Sequence, residues 1–126
     1  MITLSHIRKI HEKSLEIDRE NPDDYATGER YIAILEHMLE YEFKAENSVF
    51  LNAAIALKTI AGQHPFVNGN KRTGIATSIV ILRNEGYHLT VNDKTDFIIA
   101  VATPEKNISL EQITDWMKEN SVFDLV

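Results

Sequence analysis

Between His64 and Gly74 the chain reads HPFVNGNKRTG, which puts one histidine, two asparagines around a glycine and two adjacent cations into a single short segment. An imidazole exchanges its proton near neutral pH, so His64 is a candidate acid or base. Pro65 disfavours helical dihedrals at the residue before it, which puts His64 on a loop rather than inside a helix. Gly69 permits a tight turn. Asn70, Lys71 and Arg72 would then open a following helix, where backbone N–H groups have no intrahelical partner. Those N–H groups and the helix dipole attract anions. Cations are ordinarily disfavoured in a first helical turn, so Lys71 and Arg72 make sense there if a phosphate lies between them and the backbone donors. Each part also has a plain reading: a histidine before proline commonly caps or packs, Gly-Asn is an ordinary turn, and Lys-Arg pairs are commonly just solvated. Phe66 reads as a buried aromatic that anchors the loop and has no chemistry of its own. The spacing is not that of the P-loop, G-x-x-x-x-G-K-[ST], because Lys71 follows Asn70 rather than a glycine.

Two buried helices must hold this loop. Before it, Val49, Phe50, Ala53, Leu57 and Ile60 form a helical stripe from Ser48 onward, with Gly62 expected to stop it. After it, ATSIVIL at 76–82 is apolar on nearly every side, and its continuity with Asn70 predicts one long buried helix ending at Asn84-Glu85-Gly86. Upstream, Leu4, Ile7, Ile10 and Ile17 predict a helix over roughly 3–20, and Asn21 to Gly28 is turn chemistry. Tyr31, Ile34, Leu35, Met38 and Leu39 predict a second helix over about 28–40, followed by a polar connector to Asn47. Downstream, Thr90 to Asp93 fits a capping box loosely before the apolar run Phe97 to Ala102. Ser109 to Gln112 fits one well before Leu110, Ile113, Trp116 and Met117. No strand, repeat or linker is expected. The fold class is all-α, a single compact domain over residues 1–126 with about six helices.

Composition narrows the function classes. A chain of 126 residues is long enough for one core and short for two domains. Without cysteine it has no disulfide, thiolate metal site or cysteine nucleophile, so catalysis must use oxygen, nitrogen or a hard metal. There is no apolar run of membrane-spanning length and no signal-peptide core, so a cytoplasmic protein without membrane contact is expected. The net charge of −6 argues against a nucleic-acid binder that covers many phosphates. Residues 51–92 nevertheless carry Lys58, Lys71, Arg72 and Arg83 against Glu85 alone, while both flanking segments are acidic. Core helices with little room for acids give this pattern too.

The nine residues His64-Pro65-Phe66-Val67-Asn68-Gly69-Asn70-Lys71-Arg72 resemble the signature of the Fic/Doc family, H-P-F-x-x-G-N-G-R in Fic proteins and H-x-F-x-D-A-N-K-R in death-on-curing (Doc) toxins. The resemblance implies that His64 is the catalytic base, taking the proton from a protein hydroxyl that attacks a nucleotide phosphate. It implies that Asn68, Gly69, Asn70, Lys71 and Arg72 hold the phosphates of ATP. Asn68 falls where many members place an acid that binds Mg²⁺, and its amide oxygen is a weaker, uncharged ligand. Lys71 after Asn70, without a second arginine among the next residues, is the Doc pattern, whereas Gly69 in place of the Doc alanine is Fic-like. The Doc branch implies transfer of the γ-phosphoryl group to a Ser or Thr of a translation factor, elongation factor Tu. The Fic branch implies AMP transfer. A non-catalytic nucleotide or phosphate binder is a third possibility. The connector Tyr41 to Asn47 is the candidate for the family's target-aligning flap. The inhibitory pattern [ST]-x-x-x-E-[GN] is missing, since Glu16, Glu42, Ile81 and Asp115 occupy the required earlier positions. Restraint would then come from a separate antitoxin protein.

Overall fold

The structure, a computed structural model, describes residues 2–17, 28–91 and 93–124. Helix α1 spans Leu4–Ile17 and turns Ile7, His11, Ser14 and Leu15 into the interior, the spacing of one helical face. The expected continuation to residue 20 and the turn at Asn21 to Thr27 lie outside the described residues.

Helix α2, Ile32–His37, runs on as a π-helical turn over Met38–Glu42. It begins later than its apolar stripe predicts because the preceding backbone is engaged elsewhere. The N–H groups of Arg30 and Tyr31 both donate to the Pro65 carbonyl, at 2.7 and 2.9 Å, and Glu29 forms a β-bridge with Phe66.

Helices α3, Val49–Gln63, and α4, Asn70–Asn84, form the central pair on either side of the histidine loop. Ser48 caps α3 by accepting the Leu51 N–H at 3.1 Å. Ala53, Ala54, Ala56, Leu57, Ile60 and Ala61 of α3 are fully buried. Small residues let the two backbones approach: a Cβ on Gly74 would sit 3.2 Å from the Ala61 nitrogen and 3.4 Å from its Cβ. Ser78 Oγ donates across the pair to the Ala53 carbonyl at 2.7 Å. Helix α4 also packs on α1, and α3 packs on two later helices, α5 over Thr95–Ala102 and α6 over Leu110–Glu119. The capping box of α6 forms as expected: Gln112 N–H donates to Ser109 Oγ at 3.1 Å and Ser109 N–H to Gln112 Oε1 at 2.8 Å.

All-α describes the core, with one correction. Strands β1, Tyr87–Leu89, and β2, Ser121–Phe123, pair antiparallel with Tyr87 opposite Phe123 and Leu89 opposite Ser121. Three-residue strands are too short to show the alternation that marks a strand in sequence. The same pairing overturns the expected capping box at Thr90, whose N–H and hydroxyl both donate to the Asn120 carbonyl, at 2.8 and 3.1 Å. Asp93 takes over at the start of α5, its carboxylate accepting the Thr95 N–H at 2.9 Å; that bond holds the Asp93 carboxyl below the ordinary range. Among the described residues, no helix is long and apolar enough to cross a membrane.

Candidate functional site

Helix α3 passes through Gly62 and ends at Gln63; its terminating residue is His64, left-handed at φ 53° and ψ 60°. Gly62 was the expected stop. Pro65 disfavours the right-handed conformation at the residue before it, and the chain leaves the helix at His64. A left-handed non-glycine residue costs about 1–2 kcal/mol, and such strain persists where surrounding structure enforces it. Here the enforcement is visible. The Pro65 carbonyl is held by the two N–H groups of Arg30 and Tyr31, and Val67 N–H donates to the Gly28 carbonyl at 3.0 Å. The His64 side chain is exposed.

Phe66 is 1 % exposed, the buried anchor its position predicts. Its N–H donates to Asn70 Oδ1 and its carbonyl accepts from Asn70 Nδ2, each at 3.0 Å. The Asn70 side chain therefore braces the loop, and what Asn70 offers an anion is its backbone N–H. Gly69 is left-handed at φ 77°, as the turn before α4 requires. The helical ladder of α4 starts with Thr73 N–H donating to the Gly69 carbonyl at 2.9 Å, so the N–H groups of Asn70, Lys71 and Arg72 lie ahead of it.

This first turn of α4 borders a cavity of about 430 Å³, within the range of small-molecule sites. Asn68, Gly69, Asn70, Lys71, Arg72 and Ile75 form one wall, and Thr95, Ile98 and Ile99 of α5 form the other. The structure thus brings together five of the six residues marked by the sequence. His64 is not part of this lining; it stands at the end of α3. A larger hollow of about 710 Å³, between Asn47, Asn52, Asn84 and Tyr87, contains none of them.

The connector proposed as a flap is corrected by its position. Tyr41 to Asn47 leads into the N-terminal end of α3, a 15-residue helix about 22 Å long at 1.5 Å per residue, with His64 at its other end; of this connector, Glu42 shares a hollow with Thr59 and Gln63 of α3. Lys44, Ala45 and Asn47 line the larger hollow instead. The upstream segment that lies against the histidine loop is Gly28 to Tyr31.

Sequence reasoning also missed the contribution of α1. The His11 ring stacks on Phe66 with centroids 3.8 Å apart and planes 9° from parallel. Its Nε2 lies 2.8 Å from the Asn68 carbonyl oxygen. One turn earlier, Arg8 is hydrogen-bonded and ion-paired with Glu29. The Arg8 hydrogen bond holds the Glu29 carboxyl below the ordinary glutamate range; desolvation opposes this, and the charges of Arg8 and His11 add to it. The available signal was His11 itself, a polar residue in register with Ile7 and Leu15 on the apolar face.

Among the described residues no group of three His, Cys, Asp or Glu side chains could hold an ion. Among the described residues that line the cavity, Asn68 supplies an amide oxygen and none supplies a carboxylate, the ligand that protein-held Mg²⁺ ordinarily uses.

Compared with known proteins, residues 1–82 match the family model described as the Fic/DOC family. No curated protein matches the chain. The matched span contains α1, α2, α3, the histidine loop and most of α4, so the elements that build the loop all fall inside it; with 82 of its 126 residues matched, the chain belongs to the Fic/DOC family.

Proposed function

We propose that the protein transfers the γ-phosphoryl group of ATP to a Ser or Thr hydroxyl of a target protein, in the manner of the Doc branch. The observation that carries this reading is the start of α4, where Asn70, Lys71 and Arg72, in the first helical turn ahead of the Thr73–Gly69 bond, line one cavity of about 430 Å³. Membership of a family whose members are typically transferases acting on proteins, by nucleotidyl or phosphoryl transfer, supports it. Lys71 directly after Asn70 is what favours the Doc branch within that family.

His64 in its neutral form takes the proton from the target hydroxyl as the oxygen attacks the γ-phosphorus. The bond from that phosphorus to the β–γ bridging oxygen breaks, and ADP leaves. Lys71, Arg72 and the N–H groups of α4 stabilise the charge on the phosphate oxygens, which is most of what phosphoryl transfer asks of a protein. Ile75, Ile98 and Ile99 give the cavity apolar surface against which a nucleoside could lie. No step is assigned to a metal held by Asn68, and Mg²⁺ would accompany ATP through its phosphates. A translation elongation factor is the proposed target class, a separate antitoxin the proposed restraint and the cytoplasm the proposed compartment.

AMP transfer by the same cavity is the second reading, favoured by Gly69 where Doc proteins carry alanine. Incubating wild-type protein and His64→Ala with cell lysate and γ-labelled ATP tests the proposal. Protein-bound label with wild type and its loss in His64→Ala is expected. Label from α-labelled ATP alone would support AMP transfer instead, and equal γ-labelling by both proteins would remove His64 from the chemistry.

A further inference from the structure

One buried titratable side chain next to the site has no part in the mechanism above. His11 is 5 % exposed and lies 57 positions before Asn68 in sequence, yet its Nε2 is 2.8 Å from the Asn68 carbonyl oxygen. A carbonyl oxygen only accepts, so Nε2 carries the proton and donates. The same ring is stacked on Phe66, which fixes its plane. A Cβ on Gly69 would meet Leu15 Cδ2 at 3.2 Å and His11 Cδ2 at 3.7 Å, so α1 lies directly behind the glycine. Arg8 and Glu29 tie α1 to the strand-like segment that bridges Phe66. Helix α1 therefore grips the loop from the side away from the cavity, and His11 itself does not line that cavity.

The peptide that joins Asn68 to Gly69 is planar and trans, so its N–H points opposite to its carbonyl. Pinning the Asn68 oxygen toward α1 turns the Gly69 N–H away from α1, to the side where Gly69 lines the cavity with Lys71 and Arg72. A hydrogen bond accepted by a peptide carbonyl also polarises the N–H of that peptide, making it a better donor. We propose that His11 is a positioning residue of this site: its Nε2–H, with the ring stacked on Phe66, orients and polarises the Asn68–Gly69 peptide so that the Gly69 N–H joins the anion-binding donors of α4. In its effect on ATP this rests on the nucleotide-transfer reading; in its effect on the peptide it does not.

Two variants separate the donor from the ring. His11→Phe keeps a ring to stack and removes the donor, whereas His11→Gln places an amide N–H at about the reach of Nε2. The Gly69 amide resonance of ¹⁵N-labelled protein, recorded without nucleotide, reports the peptide directly. A shift in His11→Phe that His11→Gln restores is expected. With ATP, His11→Phe should raise KM roughly tenfold, the scale of one lost hydrogen bond to a charge-binding group, with kcat much less affected, and His11→Gln should recover most of that loss. In the wild type the imidazole nitrogen spectrum should show the His11 proton on Nε2. An unprotonated Nε2 would overturn the proposal without any variant, as would a Gly69 resonance unmoved in His11→Phe or lost equally in His11→Gln. A wild type that passes the Gly69 and imidazole tests but binds no ATP would overturn the functional reading and leave the peptide role of His11 standing.

Discussion

Phe66 and Asn70 hold each other through two reciprocal hydrogen bonds, the Phe66 N–H to Asn70 Oδ1 and the Asn70 Nδ2 to the Phe66 carbonyl, both 3.0 Å and both buried. Asn70 thus closes the loop that carries the histidine. Asn70→Ala would leave a buried donor and a buried acceptor unpaired, costing about 1–3 kcal/mol for each group that water cannot reach. Denaturant unfolding should show a lowered midpoint with the slope unchanged. Stability equal to wild type would mean the loop is held by other contacts.

Lys71 should behave in the opposite way. It lies in the first turn of α4, where a cation opposes the dipole. Lys71→Gln should leave stability unchanged or raise it, by up to about 0.3–1 kcal/mol, while weakening ATP binding by an order of magnitude. Calorimetry for stability and a binding titration on the same samples check both signs. A variant that loses stability and keeps its ATP affinity would make Lys71 a structural residue.

The close approach of α3 and α4 fixes the spacing between the end of α3 that bears His64 and the start of α4 at Asn70. Gly74→Val would force side-chain atoms into the Ala61 backbone and Leu57, an overpacking cost of about 1–3 kcal/mol. Thermal unfolding should show the loss, and activity should fall with it as the helices separate. An unchanged midpoint would show that the pair can shift freely.

Acid should loosen the segment that braces the loop. Arg8 holds the Glu29 carboxyl below its ordinary range, so the folded state binds the proton less readily than the unfolded chain. The resulting stabilisation is complete above the unfolded value, near pH 4–5, and is lost as pH falls through the lower folded value. Both side chains are substantially exposed, so the effect is small and screened by salt. Glu29→Gln should flatten this part of the acid limb of the unfolding temperature. An identical acid limb in the variant would assign that limb to other carboxylates.

Much of this molecule was legible locally. The stripe of α3 and the capping box at Ser109 follow from spacing alone, because each is set by residues within one or two turns. Helix α4 reads in sequence as apolar on nearly every side, and its buried face instead carries Thr73, Gly74, Thr77 and Ser78 with Ile81 and Leu82. What escaped was decided at a distance. Helix α2 starts late because Arg30 and Tyr31 give their N–H groups to Pro65. Thr90 fails to cap because it bonds to Asn120. The flap was sought at Tyr41 to Asn47 since polarity marks a connector and says nothing about which end of α3 it meets. His64 rather than Gly62 ends α3, a competition between proline and glycine that the sequence displays but does not rank. The α5 wall of the cavity had no signal, since Thr95, Ile98 and Ile99 read as ordinary positions of an apolar helix.

The most direct test of the central claim is the intact mass of a purified target protein, a translation elongation factor, after incubation with this protein and ATP. The expected result is a gain of one phosphoryl group on a Ser or Thr with wild type and no gain with His64→Ala. A gain of AMP would contradict phosphoryl transfer, and an unmodified target beside a wild type that binds ATP would contradict the assignment of that target.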